Sequence, residues 1–171
     1  MNKNIVIIGM PGAGKTSVAR ALAQKLNRPL IDIDTEIIKK HGNIEKIFET
    51  QGEKAFRAYE KRAVIAAAKK QGVVIATGGG SLLDPENTAA LKATGTLYWI
   101  RRPLEDLATD GRPLSKGGIE TLKKLYAARA PIYTAAADEI VENTTIEAAA
   151  RAILHREKLQ KNEKEPPVIE L

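Results

Sequence analysis

The stretch Gly9-Met10-Pro11-Gly12-Ala13-Gly14-Lys15-Thr16 decides how this chain is read. It spells the phosphate-binding loop G-x-x-x-x-G-K-[ST], and its flanks give the spelling physical content. Before it, Asn4-Ile5-Val6-Ile7-Ile8 is a continuous apolar run, as expected of a central parallel strand covered on both faces. After it, Val18, Ala19, Leu22, Ala23 and Leu26 recur at helical spacing within Ser17–Leu26. Strand, glycine turn and helix set successive backbone N–H groups and a positive helix end around one anion. Glycines suit the turn because a Cβ would hold the backbone off the phosphate. Lys15 then reaches the outer phosphates and the Thr16 hydroxyl can ligate magnesium, with Gly12, Ala13, Gly14 and Ser17 completing the nucleotide contact. The motif predicts binding of a nucleoside triphosphate.

Working outward, Ile5–Ile8, Pro29–Asp32, Val73–Thr77, Thr96–Ile100 and Glu139–Val141 read as strands. Helical patterns occupy Thr35–His41, Ile44–Gln51, Glu53–Lys70, Pro85–Ala93, Ile119–Ala130 and Thr145–Glu157. Such alternation predicts an α/β fold, a parallel sheet with helices on both faces joined by right-handed crossovers. One domain over residues 1–157 accounts for a chain of 171 residues, with a lid at about 106–118 and a charged tail over 158–171 expected to be poorly ordered.

Ligands of such sheets bind beyond the carboxyl ends of the strands, and the chemistry-bearing residues gather there. Asp32 and Asp34 leave the second strand with one residue between them, so they start on one face of it. They divide between a magnesium shell and a substrate hydroxyl, or else cap the helix that follows. The third strand ends without an acid, which makes Asp32 the substitute for the usual Walker-B aspartate. Gly78-Gly79-Gly80 lets backbone approach a ligand, unless it is only a flexible turn. Arg57, flanked by Glu53 and Glu60 at helical spacing, reads in isolation as a surface ion pair. Arg112 lies in a polar, glycine-bearing stretch that suits a lid closing over phosphates. Arg129 precedes Pro131, which is expected to end its helix and would leave Arg129 as a cation at a helix C-terminus.

Composition removes several alternatives. With no cysteine, disulfides, zinc–thiolate sites and thiol nucleophiles are excluded, and two histidines do not make a metal centre by themselves. No apolar run approaches a membrane span, and the chain enters a strand within a few residues, so no membrane, no leader and a cytoplasmic location are expected. The net charge of +6 is spread as pairs among acids, and aromatic residues are only 4%, so nucleic acid is not an expected partner. A positive field also suits an enzyme whose substrates are anions. No long apolar surface stripe is left over once the core is assigned, which predicts a monomer.

Taken in order, these residues resemble shikimate kinase from about Asn4 to Ala152. The resemblance rests on Gly9–Thr16, Asp32-Ile33-Asp34, Gln51-Gly52-Glu53 with Phe56-Arg57 and Glu60, Gly78-Gly79-Gly80, Arg112-Pro113-Leu114 and Arg129-Ala130-Pro131-Ile132-Tyr133. It implies a nucleoside-monophosphate-kinase-like, three-layer fold with strand order 2-3-1-4-5, and transfer of the ATP γ-phosphoryl group to the 3-hydroxyl of shikimate, on the route to chorismate and the aromatic amino acids. By the same resemblance Asp34 holds the reacting hydroxyl, Arg57 and Arg129 grip the substrate carboxylate, and Gly79 with Gly78 and Gly80 contacts the ring hydroxyls. Thr16, with Asp32 through water, holds Mg2+, while Lys15 and Arg112 stabilise the transferring group.

Two departures from the family pattern concern adenine. The segment from Arg102 to Gly111 is short and lacks an arginine that often stacks on the base, and Val141–Ile146 carries neither the Asp nor the Pro usual in the adenine loop. Arg101 or Arg102 is the expected replacement for the lost stacking. The competing readings are a kinase of the same fold acting on another small molecule, such as gluconate or a nucleotide, and a catalytically silent relative that binds ligand and regulates a partner.

Overall fold

The computed structural model describes residues 2–108 and 118–163. Five strands, β1 (Asn4–Ile8), β2 (Leu30–Asp32), β3 (Val74–Ala76), β4 (Gly95–Arg101) and β5 (Glu139–Glu142), form one parallel sheet in the order β2-β3-β1-β4-β5. Ile7 sits between Ala76 of β3 and Tyr98 of β4, so β1 is the central strand. Its residues Ile5 to Ile8 are fully buried, which is what its unbroken apolar run required.

The helices are α1 (Lys15–Leu26), α2 (Ile33–His41), α3 (Ile44–Gln51), α4 (Glu53–Ala68), α5 (Pro85–Thr94), α6 (Leu104–Ala108), α7 (Gly118–Ala136) and α8 (Ile146–Asn162). The crossover through α1 steps toward one sheet edge and the other three step toward the opposite edge. Right-handedness therefore puts α1 on one face, where α8 packs on it, and α4, α5 and α7 on the other. The expected three-layer α/β sandwich and its strand order are borne out.

Three local differences matter for the site. The strand stops at Asp32, so Asp34 is carried by the first turn of α2 rather than by β2. The helix α7 does not stop at Pro131 but runs on to Ala136, with Tyr133 and Ala136 buried beyond the proline. Proline removes one i→i−4 hydrogen bond; the apolar burial of the following turn offsets that loss. Arg129 is thus within a helix, one turn before Tyr133 on the same face, and the end-of-helix explanation for it falls away. Helix α8 continues through Asn162, past the Glu157 at which its apolar pattern fades. Among the described residues no helix is long and apolar enough to cross a membrane.

Candidate active site

The loop between β1 and α1 is shaped by backbone that only glycine tolerates. Gly9 has φ 151°, and a Cβ there would lie 2.7 Å from the Ile100 carbonyl oxygen. Gly14 caps α1 in the left-handed region, at φ 88°. The carbonyl side of the loop is held by side chains, one of its own and two from elsewhere. Lys15 Nζ donates to Gly9 O and Met10 O at 2.8 Å each, Arg102 Nη1 donates to Gly12 O at 2.9 Å, and Asn143 Nδ2 donates to Ala13 O at 2.7 Å. Peptide units fixed by their carbonyls present their N–H groups the other way, toward the positive end of α1. Arg101 is engaged elsewhere: its guanidinium lies 5.4 Å from the Trp99 ring centroid and pairs with Glu142.

Beside this loop, Asp32 caps the helix that follows, one of the two roles its position suggested, and also meets Thr16. Its Oδ1 accepts from the Thr35 amide at 2.9 Å as the cap of α2, and its Oδ2 accepts from the Thr16 hydroxyl at 2.5 Å. A hydroxyl and a carboxylate oxygen therefore meet at the start of α1. Among the described residues there is no cluster of three or more His, Cys, Asp or Glu side chains for a metal. This sparse, all-oxygen set fits magnesium, which keeps its waters and binds through one or two protein oxygens together with substrate phosphates.

The triple glycine after β3 is the centre around which the other predicted residues are arranged. A Cβ on Gly78 would lie 3.0 Å from Asp34 Oδ1 and 3.2 Å from Glu60 Oε2. One on Gly79 would lie 2.7 Å from Pro11 Cγ and 3.1 Å from Arg129 Nη1, and one on Gly80 would run into the guanidinium of Arg57. Three successive missing side chains thus let an acid, a phosphate-loop proline and two arginines close on one turn. Arg57 keeps its two helical partners, Glu60 at 2.9 Å and Glu53 at 3.5 Å, yet its far end reaches Gly80. Arg129 is 9% exposed, and its Nη1 is buried with no hydrogen-bond partner among the described residues. An unpaired buried guanidinium nitrogen is costly and points to an anionic ligand. Arg112 lies outside the described residues, as does most of the stretch taken for a lid.

Two further residues belong here that the sequence reading left without a role. Glu60 is 2% exposed, pairs with Arg57 and accepts from the Ser81 hydroxyl, which in turn accepts from the Gly78 amide. Burial pushes its carboxyl above the usual 4.5, against the pull of Arg57 and Ser81 and with Asp34 adding to the rise. The signal was present: Phe56, Glu60, Val64 and Ala67 form one buried stripe of α4, and a charged residue in such a stripe needs a reason. Tyr133 is the other. Its hydroxyl stands 2.6 Å from Gly79 O and 3.0 Å from Gly9 O, and burial raises it to about 12, with the Arg129 charge opposing.

A family model described as shikimate kinase matches residues 11–159. A shikimate kinase of Caldicellulosiruptor bescii is 40% identical over 161 residues, covering 89% of this chain and 94% of that protein. One from Paramagnetospirillum magneticum is 42% identical over 152 residues, covering 84% and 77%. Among solved structures, the shikimate kinase of Acinetobacter baumannii in complex with shikimate superposes with a TM-score of 0.87 at 32% identity over 97% of both chains. A gluconokinase from Sinorhizobium meliloti reaches a TM-score of 0.64 at 15% identity, over 95% of this chain and 98% of that one, which is a likeness of fold alone.

Proposed function

The chain belongs to the shikimate kinase family, and on that premise we propose how its residues transfer the γ-phosphoryl group of ATP to the 3-hydroxyl of shikimate, giving shikimate 3-phosphate. One observation supports the assignment above others: the glycine turn 78–80 touches the phosphate loop through Pro11 on one side and Asp34, Arg57 and Arg129 on the other. A phosphate end and a carboxylate-binding end are therefore one turn apart.

Phosphoryl transfer asks the protein for position and charge rather than for covalent chemistry. The amides of Gly12 to Ser17 and the helix α1 end take the phosphates, and Lys15, anchored on two carbonyls of its own loop, brings its charge to the transferring group. Arg57 and Arg129 take the shikimate carboxylate, for which a planar guanidinium is suited. Gly78, Gly79 and Gly80 give the ring hydroxyls close backbone. Asp34 receives the 3-hydroxyl and its proton at a carboxylate oxygen. Glu60, wedged between Arg57 and Ser81, fixes both the guanidinium and the glycine turn. Thr16 and Asp32 hold Mg2+, which supplies neutralisation of phosphate charge. Arg112 adds a cation to the transferring group. The basic residues are scattered among acids, which supports small anionic substrates rather than nucleic acid; a cytoplasmic monomer is part of the same proposal.

The test is ADP release from ATP and magnesium with and without shikimate, with Lys15→Ala as the blank. Shikimate-dependent turnover abolished in the blank is expected. Turnover with gluconate instead, or shikimate binding without turnover, would overturn the reading in favour of another small-molecule kinase or a silent relative.

A further inference from the structure

Tyr133 is used by nothing in the mechanism above, yet it is 2% exposed and its hydroxyl lies within hydrogen-bond reach of both substrate loops. Gly9 O opens the phosphate loop and also carries Lys15 Nζ. Gly79 O lies in the turn that faces the acceptor substrate. A phenol has a single proton, so the two carbonyls, at 2.6 and 3.0 Å, share one donor.

We propose that Tyr133 is a positioning residue that sets the distance between the nucleotide loop and the acceptor loop by holding Gly9 O and Gly79 O on one hydroxyl. The placement of Tyr133 supports this. It projects one helical turn beyond Arg129, so the element that carries the carboxylate-binding arginine also carries the tie. Its ring is wedged against Trp99 of β4, centroids 5.5 Å apart, so the hydroxyl sits on a rigid support. Pro11, 2.7 Å from where a Gly79 Cβ would stand, limits approach of the loops, and the hydroxyl limits their separation. Held well above neutral pH as the acid form, the phenol stays a donor throughout the working range.

A group that spaces two loops acts on the reaction when both substrates are bound, not on either binding step. Small misplacement of reacting atoms costs up to about 100-fold in rate. Tyr133→Phe keeps the ring and removes the tie. The expected result is a single-turnover rate of phosphoryl transfer about 10- to 100-fold lower, with the dissociation constants of ADP and of shikimate, each measured alone, within about threefold of wild type. Tyr126→Phe, which removes a hydroxyl from the same helix without touching either loop, should react at the wild-type rate.

A second measurement needs no variant. In the wild-type protein, hydrogen exchange at the amides of residues 78–81 should slow on addition of ADP alone, and exchange at residues 12–16 should slow on addition of shikimate alone. A wild-type single-turnover rate in Tyr133→Phe, equal losses of rate and affinity, or absence of this cross-protection would each overturn the proposal. The inference rests on the kinase reading above, and the two fail differently. If that reading fails, wild-type protein does not phosphorylate shikimate at all; if only the tie fails, it does, and Tyr133→Phe does so equally well.

Discussion

A single methyl group distinguishes the two halves of the site. In Gly80→Ala the atoms nearest the new Cβ are Nη1, Nη2 and Cζ of Arg57. Those atoms are the far end of a long side chain, so the guanidinium gives way, at the expense of its pair with Glu60, while the main chain keeps its path. The backbone at Gly80, φ −103° and ψ 6°, has negative φ in the bridge region that L-residues adopt at turns, so it does not itself bar alanine. What is lost is Arg57 at its station. A charge-assisted hydrogen bond to a carboxylate contributes about 1.5–3 kcal/mol. At about 1.4 kcal/mol per decade, the shikimate KM should rise roughly 10- to 150-fold. The ATP KM should stay within about twofold, and kcat should hold, because the grip on the carboxylate is the same in ground and transition states.

Gly79→Ala is the contrast. Its Cβ would meet the Pro11 ring at 2.7 and 2.8 Å, and a proline ring in the phosphate loop has no rotamer in which to retreat. Both loops must move, so both KM values should rise and kcat should fall. Steady-state kinetics with each substrate varied in turn, beside thermal melts read from the emission of the sole tryptophan, Trp99, decide the matter. An unchanged shikimate KM in Gly80→Ala, or equal shifts in both KM values, would refute the assignment of Arg57 to the acceptor.

Three further outcomes follow from the same geometry. Asp34→Asn should lower kcat by about 100- to 10,000-fold while ATP binding by calorimetry is retained, and near-wild-type turnover would remove Asp34 from the reaction. Arg102→Ala gives up the bond to Gly12 O and should raise the ATP KM about tenfold with the shikimate KM unchanged; if Arg101→Ala also raises it, Arg101 is stacking on the base, and if neither does, adenine is held elsewhere. Glu60 has a native pKa above its unfolded value near 4.5, so just above that pH the folded protein retains a proton that the unfolded chain has released; the stability tied to it is present below 4.5 and is lost as pH rises through the raised value. Urea melts of wild type and Glu60→Gln should therefore diverge progressively with pH across that window, and a difference independent of pH would show that Glu60 does not titrate there.

The sheet was legible because its signals are local. An unbroken apolar run, a glycine loop and a helical stripe occur next to one another in Asn4–Leu26, and each states its own conformation. The continuation of α7 was not legible, since Pro131 is a local stop signal and what overrides it, the burial of Tyr133 and Ala136, is tertiary. The same divide runs through the site. Gly14, Lys15, Thr16, Asp32 and Asp34 announce themselves by residue type at a strand end. Arg57 did not, because Glu53 and Glu60 at helical spacing give a sufficient local account of it; the resemblance alone implied a second use, and the structure sets its guanidinium against Gly80.

The carbonyl bonds of Arg102 and Asn143 were hidden for a further reason: each goes to a main-chain oxygen of the phosphate loop, and every residue has a carbonyl. No pattern of side chains marks which carbonyl needs a donor. Yet those bonds fix the peptide planes whose N–H groups take the phosphates. A chain that kept the G-x-x-x-x-G-K-[ST] spelling but lost both would still match the motif, with the loop no longer held in the shape that makes the motif bind.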